Sequence, residues 1–132
     1  MEIRDPSGLA SRLDELRELK DGWLDGSGRS LNSTDLARFE SLFAAQYSSE
    51  LPRPFVYPTT EGGIQLEWTS GSIEVSIEVE LHTGKGQYHH LDLATGAAID
   101  LSIDLHQPSW VKQFSTSMRD ATERENISDT ST

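Results

Sequence analysis

Leu9, Leu13, Leu16 and Leu19 recur at helical spacing, and Asp5-Pro6 ahead of them offers an N-cap followed by a proline in the first helical position. The spacing predicts a helix from about Pro6 to Lys20, closed by Asp21-Gly22. A second apolar stripe, Leu36, Phe39, Leu42 and Phe43, predicts a helix capped by Asn32 or Ser33 and ending near Tyr47. Pro52 and Pro54 cannot extend it, because each lacks an amide donor and pushes its predecessor toward extended geometry. The period then changes to two. Phe55 and Tyr57 begin the alternation, followed by Ile64, Leu66 and Trp68; Ile73, Val75, Ile77, Val79 and Leu81; Leu91 and Leu93; and Ile99, Leu101, Ile103 and Leu105. Glycine-bearing turns at Glu61-Gly62-Gly63, Ser70-Gly71-Ser72, Thr83-Gly84-Lys85-Gly86 and Ala94-Thr95-Gly96 separate the runs at hairpin spacing. Pro108 opens a third helix carrying Trp110, Val111, Phe114 and Met118. The expected architecture is a single α+β domain over residues 1–119: an antiparallel meander of four to five strands with two N-terminal helices and one C-terminal helix. Residues 120–132, rich in Ser, Thr and charge, are expected to form a flexible C-terminal tail.

Alternate strand residues point to opposite faces, so an inward aliphatic set sends its neighbours outward. The outward set expected here is Gln65 and Glu67; Glu74, Ser76, Glu78 and Glu80; Tyr88, His90 and Asp92; and Asp100, Ser102 and Asp104. Between Pro54 and Val111 the only Lys or Arg is Lys85, placed by this reading in a turn. The exposed face should therefore be a carpet of carboxylates without a cation. Like charges opposed on neighbouring strands destabilise by about 0.2–1 kcal/mol per pair, so such a face invites a functional explanation.

Composition narrows that explanation. Eleven Lys and Arg against 22 Asp and Glu give a formal charge of −11 over 132 residues, which repels a phosphate backbone and argues against direct nucleic-acid binding. A chain of this length buries about two-thirds of its unfolded surface and can fold without staples. Cysteine is absent, which removes disulfides, thiolate ligands and cysteine nucleophiles together. With neither a secretory leader nor a membrane-spanning apolar run expected, the expected compartment is the cytoplasm.

The chemistry-bearing residues form no catalytic motif. Glu67, Glu78 and His90 would make an oxygen and nitrogen ligand set if their strands were adjacent, but no His-Glu-x-x-His or other ligand spacing accompanies them. His89, on the parity of Leu91 and Leu93, is expected inward. The loop Asp21-Gly22-Trp23-Leu24-Asp25-Gly26 has acids at positions one and five of a calcium loop and glycine at six, yet has Trp23 at three and Asn32 at twelve. No serine stands in Gly-x-Ser-x-Gly, and Gly26-Ser27-Gly28 lacks the lysine of a phosphate loop. No catalytic residue, metal ligand or cofactor is assigned.

Leu19-Lys20-Asp21-Gly22-Trp23-x-x-Gly26-x-Gly28, followed by Pro52-x-Pro54-x-x-x-Pro58-Thr59-x-x-Gly62-Gly63-Ile64-Gln65-x-Glu67-Trp68, resembles a group of small uncharacterised bacterial proteins. There, similar signatures recur beside genes of mobile elements or toxin–antitoxin-like pairs. The resemblance implies an accessory protein and marks Trp23, Pro58, Thr59, Gly62, Gly63, Glu67 and Trp68 as signature positions. Glu67 is expected either at the centre of the acidic face or as a hydrogen-bond partner holding the Trp23 loop.

The leading expectation is a non-enzymatic protein-binding module of antitoxin, immunity or regulatory type. Its acidic sheet face, with Glu67, Glu74, Glu78, Glu80, His90 and Asp92, would engage a basic protein such as a toxin or a nucleic-acid-binding protein. One alternative is a metal-assisted hydrolase or small-ligand enzyme using Glu67 and His90. Another is a homo-oligomer joined through a strand edge or through the third helix with Trp110 and Phe114.

Overall fold

The computed structural model describes residues 8–48 and 51–118. The Asp5-Pro6 cap and the tail expected over residues 120–132 lie outside the described residues. Helix α1 is Leu9–Arg17, shorter than its leucine spacing predicts: Gly8, in the left-handed region, stands at its N-cap without a side-chain bond, and Glu18 closes it. Helix α2, Ser33–Gln46, starts where the sequence places it, with Asn32 Oδ1 accepting from the Asp35 amide at 2.9 Å. Five strands follow, β1 Phe55–Pro58, β2 Ile64–Ser70, β3 Ile73–Glu80, β4 Lys85–Asp92 and β5 Ala98–Asp104, in the spatial order β1-β2-β3-β4-β5 with every neighbouring pair antiparallel. A C-terminal helix, α3, covers residues 109–118 of those described. The α+β meander expected from the periodicity is the observed fold.

All three helices lie on one face of the sheet, sealing a single core. Leu13, Leu16, Leu36, Phe39, Phe43, Trp110 and Phe114 meet Val56, Ile64, Leu66, Trp68, Ile73, Val75, Ile77, Val79 and Tyr88 there. An aromatic cluster runs through it: Tyr47 lies parallel to Trp110 with centroids 6.3 Å apart, and Phe114 sits 4.5 Å from Trp68. Its polar tips are matched. Trp110 Nε1 donates to Gln46 Oε1 at 2.6 Å, and Gln46 Nε2 donates to the Leu105 carbonyl at 2.7 Å.

The strand parity expected from the sequence holds in β2, β3 and β5 and fails in β1 and β4. Phe55 and Tyr57 point away from the core, 67% and 43% exposed, while Val56 between them is buried opposite Leu66. In β4 the inward residues are Gly86, Tyr88, His90 and Asp92, opposite Val79, Ile77, Val75 and Ile73, so His89 and Leu91 face outward. The β3–β4 turn decides this. Glu80 is outward and pairs with Lys85, so Lys85 opens the strand on the outer face instead of lying in a turn, and every second residue after it follows. Leu91 and Leu93 are the apolar residues that misdirect a reading by hydrophobicity alone, since the core takes the Tyr88 ring in their place.

Candidate functional site

Among the described residues no helix packs on the second face of the sheet, and the pairing registers fix its pattern. One row across the strands reads Phe55, Glu67, Ser76, His89 and Asp100; the next reads Tyr57, Gln65, Glu78, Gln87 and Ser102. Toward one end lie Thr69, Glu74, Leu91 and Ala98, and toward the other Glu80, Lys85 and Asp104. Glu67, Glu74, Glu78 and Glu80 are thus together on this face, as the alternation predicts, with Asp100 and Asp104.

The registers place no carboxylate directly opposite another. Glu67 lies between Phe55 and Ser76, Glu78 between Gln65 and Gln87, and Glu74 between Thr69 and Leu91. Two of the acids on this face have nitrogen partners there: Lys85 Nζ is 3.5 Å from Asp104, and His89 Nδ1 is 2.5 Å from Asp100. The acidity of the face is therefore tolerated without opposed like charges, and the cost expected from them does not arise. Glu67 accepts from Gln65 Nε2 at 2.5 Å and forms part of a shallow depression of about 260 Å³ shared with Thr69, Glu74, Ser76, His89 and Leu91. It does not hold the Trp23 loop.

His90 and Asp92, expected on this face, are on the covered one. Asp92, 2% exposed, accepts from the Ser72 hydroxyl at 3.0 Å and from the Ala94 amide at 2.9 Å. Ser117 of α3 lies between the Tyr88 hydroxyl at 2.9 Å and His90 Nδ1 at 2.8 Å, and burial pushes the Tyr88 hydroxyl above its ordinary pKa. These contacts tie α3 to β4. The ligand set Glu67, Glu78 and His90 is consequently split between opposite faces, and no group of three His, Cys, Asp or Glu among the described residues is placed to hold a metal ion. Trp110 and Phe114, proposed as an oligomer joint, are spent in the core.

The signature positions other than Glu67 make turn and core contacts. Trp23 belongs to a miniature hairpin whose Leu24 and Ser27 exchange backbone bonds across Asp25 and Gly26, both at positive φ. The indole lies against Gly28, where a Cβ would come within 2.7 Å of the ring, and Nε1 donates to the Arg29 carbonyl at 2.9 Å. The Arg29 amide donates to the Thr60 carbonyl at 3.0 Å, docking the hairpin on the β1–β2 turn. In that turn, after Pro58, Thr59 donates its amide to the Gly63 carbonyl and accepts from the Gly63 amide through Oγ1, each at 2.9 Å; Gly62 donates to the Thr59 carbonyl. Trp68 is in the aromatic core.

Asp21 closes the hairpin base. The Ser30 amide, donating to Asp21 Oδ1 at 2.8 Å, holds this carboxyl below the usual carboxylate range, with the Ser30 hydroxyl and the Arg29 charge assisting. A folded pKa below the unfolded one stabilises the fold above the unfolded value, and that contribution is lost as pH falls through the folded value. Side-chain carbon NMR of the folded protein should show Asp21 titrating below the usual carboxylate range; a midpoint within that range would contradict the assigned bond.

The residues of the open face that a sequence reading misses include Phe55, Tyr57, Lys85, Gln87, His89 and Leu91. Counting outward from the paired ends of each turn, instead of following hydrophobicity, would have found those on β4. No family model, curated protein or solved structure matches the chain. No helix among the described residues is long and apolar enough to cross a membrane.

Proposed function

We propose that the chain is a non-enzymatic protein-binding module, an accessory protein of antitoxin, immunity or regulatory type, whose open sheet face engages a basic protein. The observation that carries this reading is the composition of that face: Glu67, Glu74, Glu78 and Glu80 beside exposed Phe55 and Tyr57, on a sheet with no helix over this side among the described residues. Carboxylates steer a cationic partner and select its orientation. Exposed aromatic rings supply anchors of the kind that dominate interface energetics, and their faces accept arginine. Six carboxylates on the face meet one lysine, so the surplus is negative even after the His89–Asp100 and Lys85–Asp104 pairs are formed. The same reading places the protein in the cytoplasm.

Reversing Glu74, Glu78 and Glu80 together to lysine should abolish pull-down of a basic partner by the tagged chain while the thermal midpoint stays within a few degrees of wild type. Pull-down that survives the triple reversal refutes the acidic face as the docking surface. The same complex should weaken steeply as salt is raised, since exposed charges are screened beyond about 10 Å at 0.1 M ionic strength.

A further inference from the structure

The two edges of the sheet are finished differently. At β1 the strand is only four residues long, ends in Pro58 and follows Pro54. Its outward-pointing Val56 carbonyl is taken by Arg12 Nε of α1 at 2.8 Å. Short length, proline and a covering side chain are the usual protections of an edge against pairing. β5 is the other edge, seven residues without proline. Bonds flanking its ladder, Leu105 amide to Gly84 carbonyl and Asp92 amide to Ala97 carbonyl, show that the odd-numbered residues bond toward β4. The amides and carbonyls of Ala98, Asp100 and Ser102 therefore point off the sheet.

The side chains add a second observation. On the helix-side face of β5, Ile99 and Leu101 are 41% and 38% exposed, because the helices stop short of this strand. An open trough of about 530 Å³ between β5 and α3, lined by Leu101, Ile103, Trp110 and Gln113, leaves space beside them. On the other face the two acids of the strand are already engaged, Asp100 with His89 at 2.5 Å and Asp104 with Lys85 at 3.5 Å and His106 at 2.8 Å.

We propose that the edge of β5, unpaired among the described residues, pairs with the same edge of a second copy of this chain, antiparallel and in full overlap about Leu101. The pattern of the strand is self-complementary in that register. Ile99 meets the second copy's Ile103, and Leu101 meets its own counterpart on the twofold axis. The axis falls at a non-hydrogen-bonded pair, where opposed side chains approach most closely. Asp100 falls opposite Ser102, exchanging both backbone bonds, and Ala98 falls opposite Asp104, so no acid opposes an acid. Moving the axis to Asp100 sets that carboxylate against itself, and moving it to Ser102 sets Asp100 against Asp104. A perpendicular twofold keeps both helical layers on one side and leaves one uninterrupted open face on the other. This pairing is independent of the basic partner, since it uses the edge and the helix-side residues of β5.

Light scattering after size exclusion, from micromolar to submillimolar chain, should give twice the 14.7 kDa chain mass. Ser102→Pro removes an amide that points off the sheet and spares the β4 ladder, so it should return the mass to one chain. The chain has no cysteine, so Leu101→Cys carries a single thiol. Its self-pairing at about 4.5 Å between Cα atoms suits a disulfide, and mild oxidation should link the chains, whereas Ser102→Cys should not link. The proposal is overturned by a wild-type mass of one chain at submillimolar concentration, which would leave the edge to a strand of another protein. It is equally overturned by a dimeric Ser102→Pro, or by Leu101→Cys linking no faster than Ser102→Cys.

Discussion

Trp68→Ala should lower the free energy of unfolding by about 3–5 kcal/mol, measured by chemical denaturation, because it empties the centre of the aromatic core and breaks a hydrogen-bonded node there. The indole is buried against Phe114 and Tyr47. Its Nε1 donates to the Tyr47 hydroxyl at 2.9 Å and to the Pro52 carbonyl at 3.0 Å, and the Tyr47 hydroxyl donates to the same carbonyl. Burial holds the Tyr47 hydroxyl far above its ordinary pKa, so it stays protonated and remains a donor. Removing the indole leaves both oxygens short of a partner as well as a cavity. Tyr47→Phe, which deletes only one hydroxyl, should cost about 1 kcal/mol. A loss below that figure for Trp68→Ala would mean that this cluster does not anchor the segment after α2 to the sheet.

The second large effect is expected at a residue with no side chain. Gly63 packs so closely on β3 that an added Cβ would lie 2.5 Å from the Val79 carbonyl and 3.1 Å from Thr59 Oγ1. Neither neighbour yields easily: Val79 is fixed by its pairing with Ile64, and Thr59 Oγ1 already accepts from the Gly63 amide. Gly63→Ala should cost about 1–3 kcal/mol, at the upper end of that range, by forcing the turn away from the ladder. Equilibrium denaturation checks it, and a variant within about 0.5 kcal/mol of wild type, the range of ordinary surface substitutions, would show that the turn can relax. The Gly62-Gly63 pair is therefore explained by a close backbone approach as much as by turn geometry.

Where the chain alternates without interruption, as in Ile73 to Glu80, sequence and structure agree residue by residue, because register is strongly specified when one face is buried. The same logic placed Glu67, Glu74, Glu78, Glu80, Asp100 and Asp104 together. It failed in β4 because Tyr88, His90 and Asp92 are polar or amphipathic and Leu91 is not. The core satisfies those three through Ser117 and Ser72, partners that no local pattern announces. It failed in β1 because two aromatic residues flank a smaller buried valine. The ring of Trp23 lies on Gly28 within its own hairpin, a contact that no apolar period in the sequence announces. The open face was legible only as a charge pattern, and the registers changed its meaning by setting no acid directly opposite another across the strands.

Arg12 has a wider consequence. A single guanidinium on α1 is what blocks the outward carbonyl of Val56, so the first helix acts as a terminator for the sheet. A side chain too short to reach that carbonyl at position 12 would leave the four-residue length of β1 and Pro58 as the remaining guards of this end.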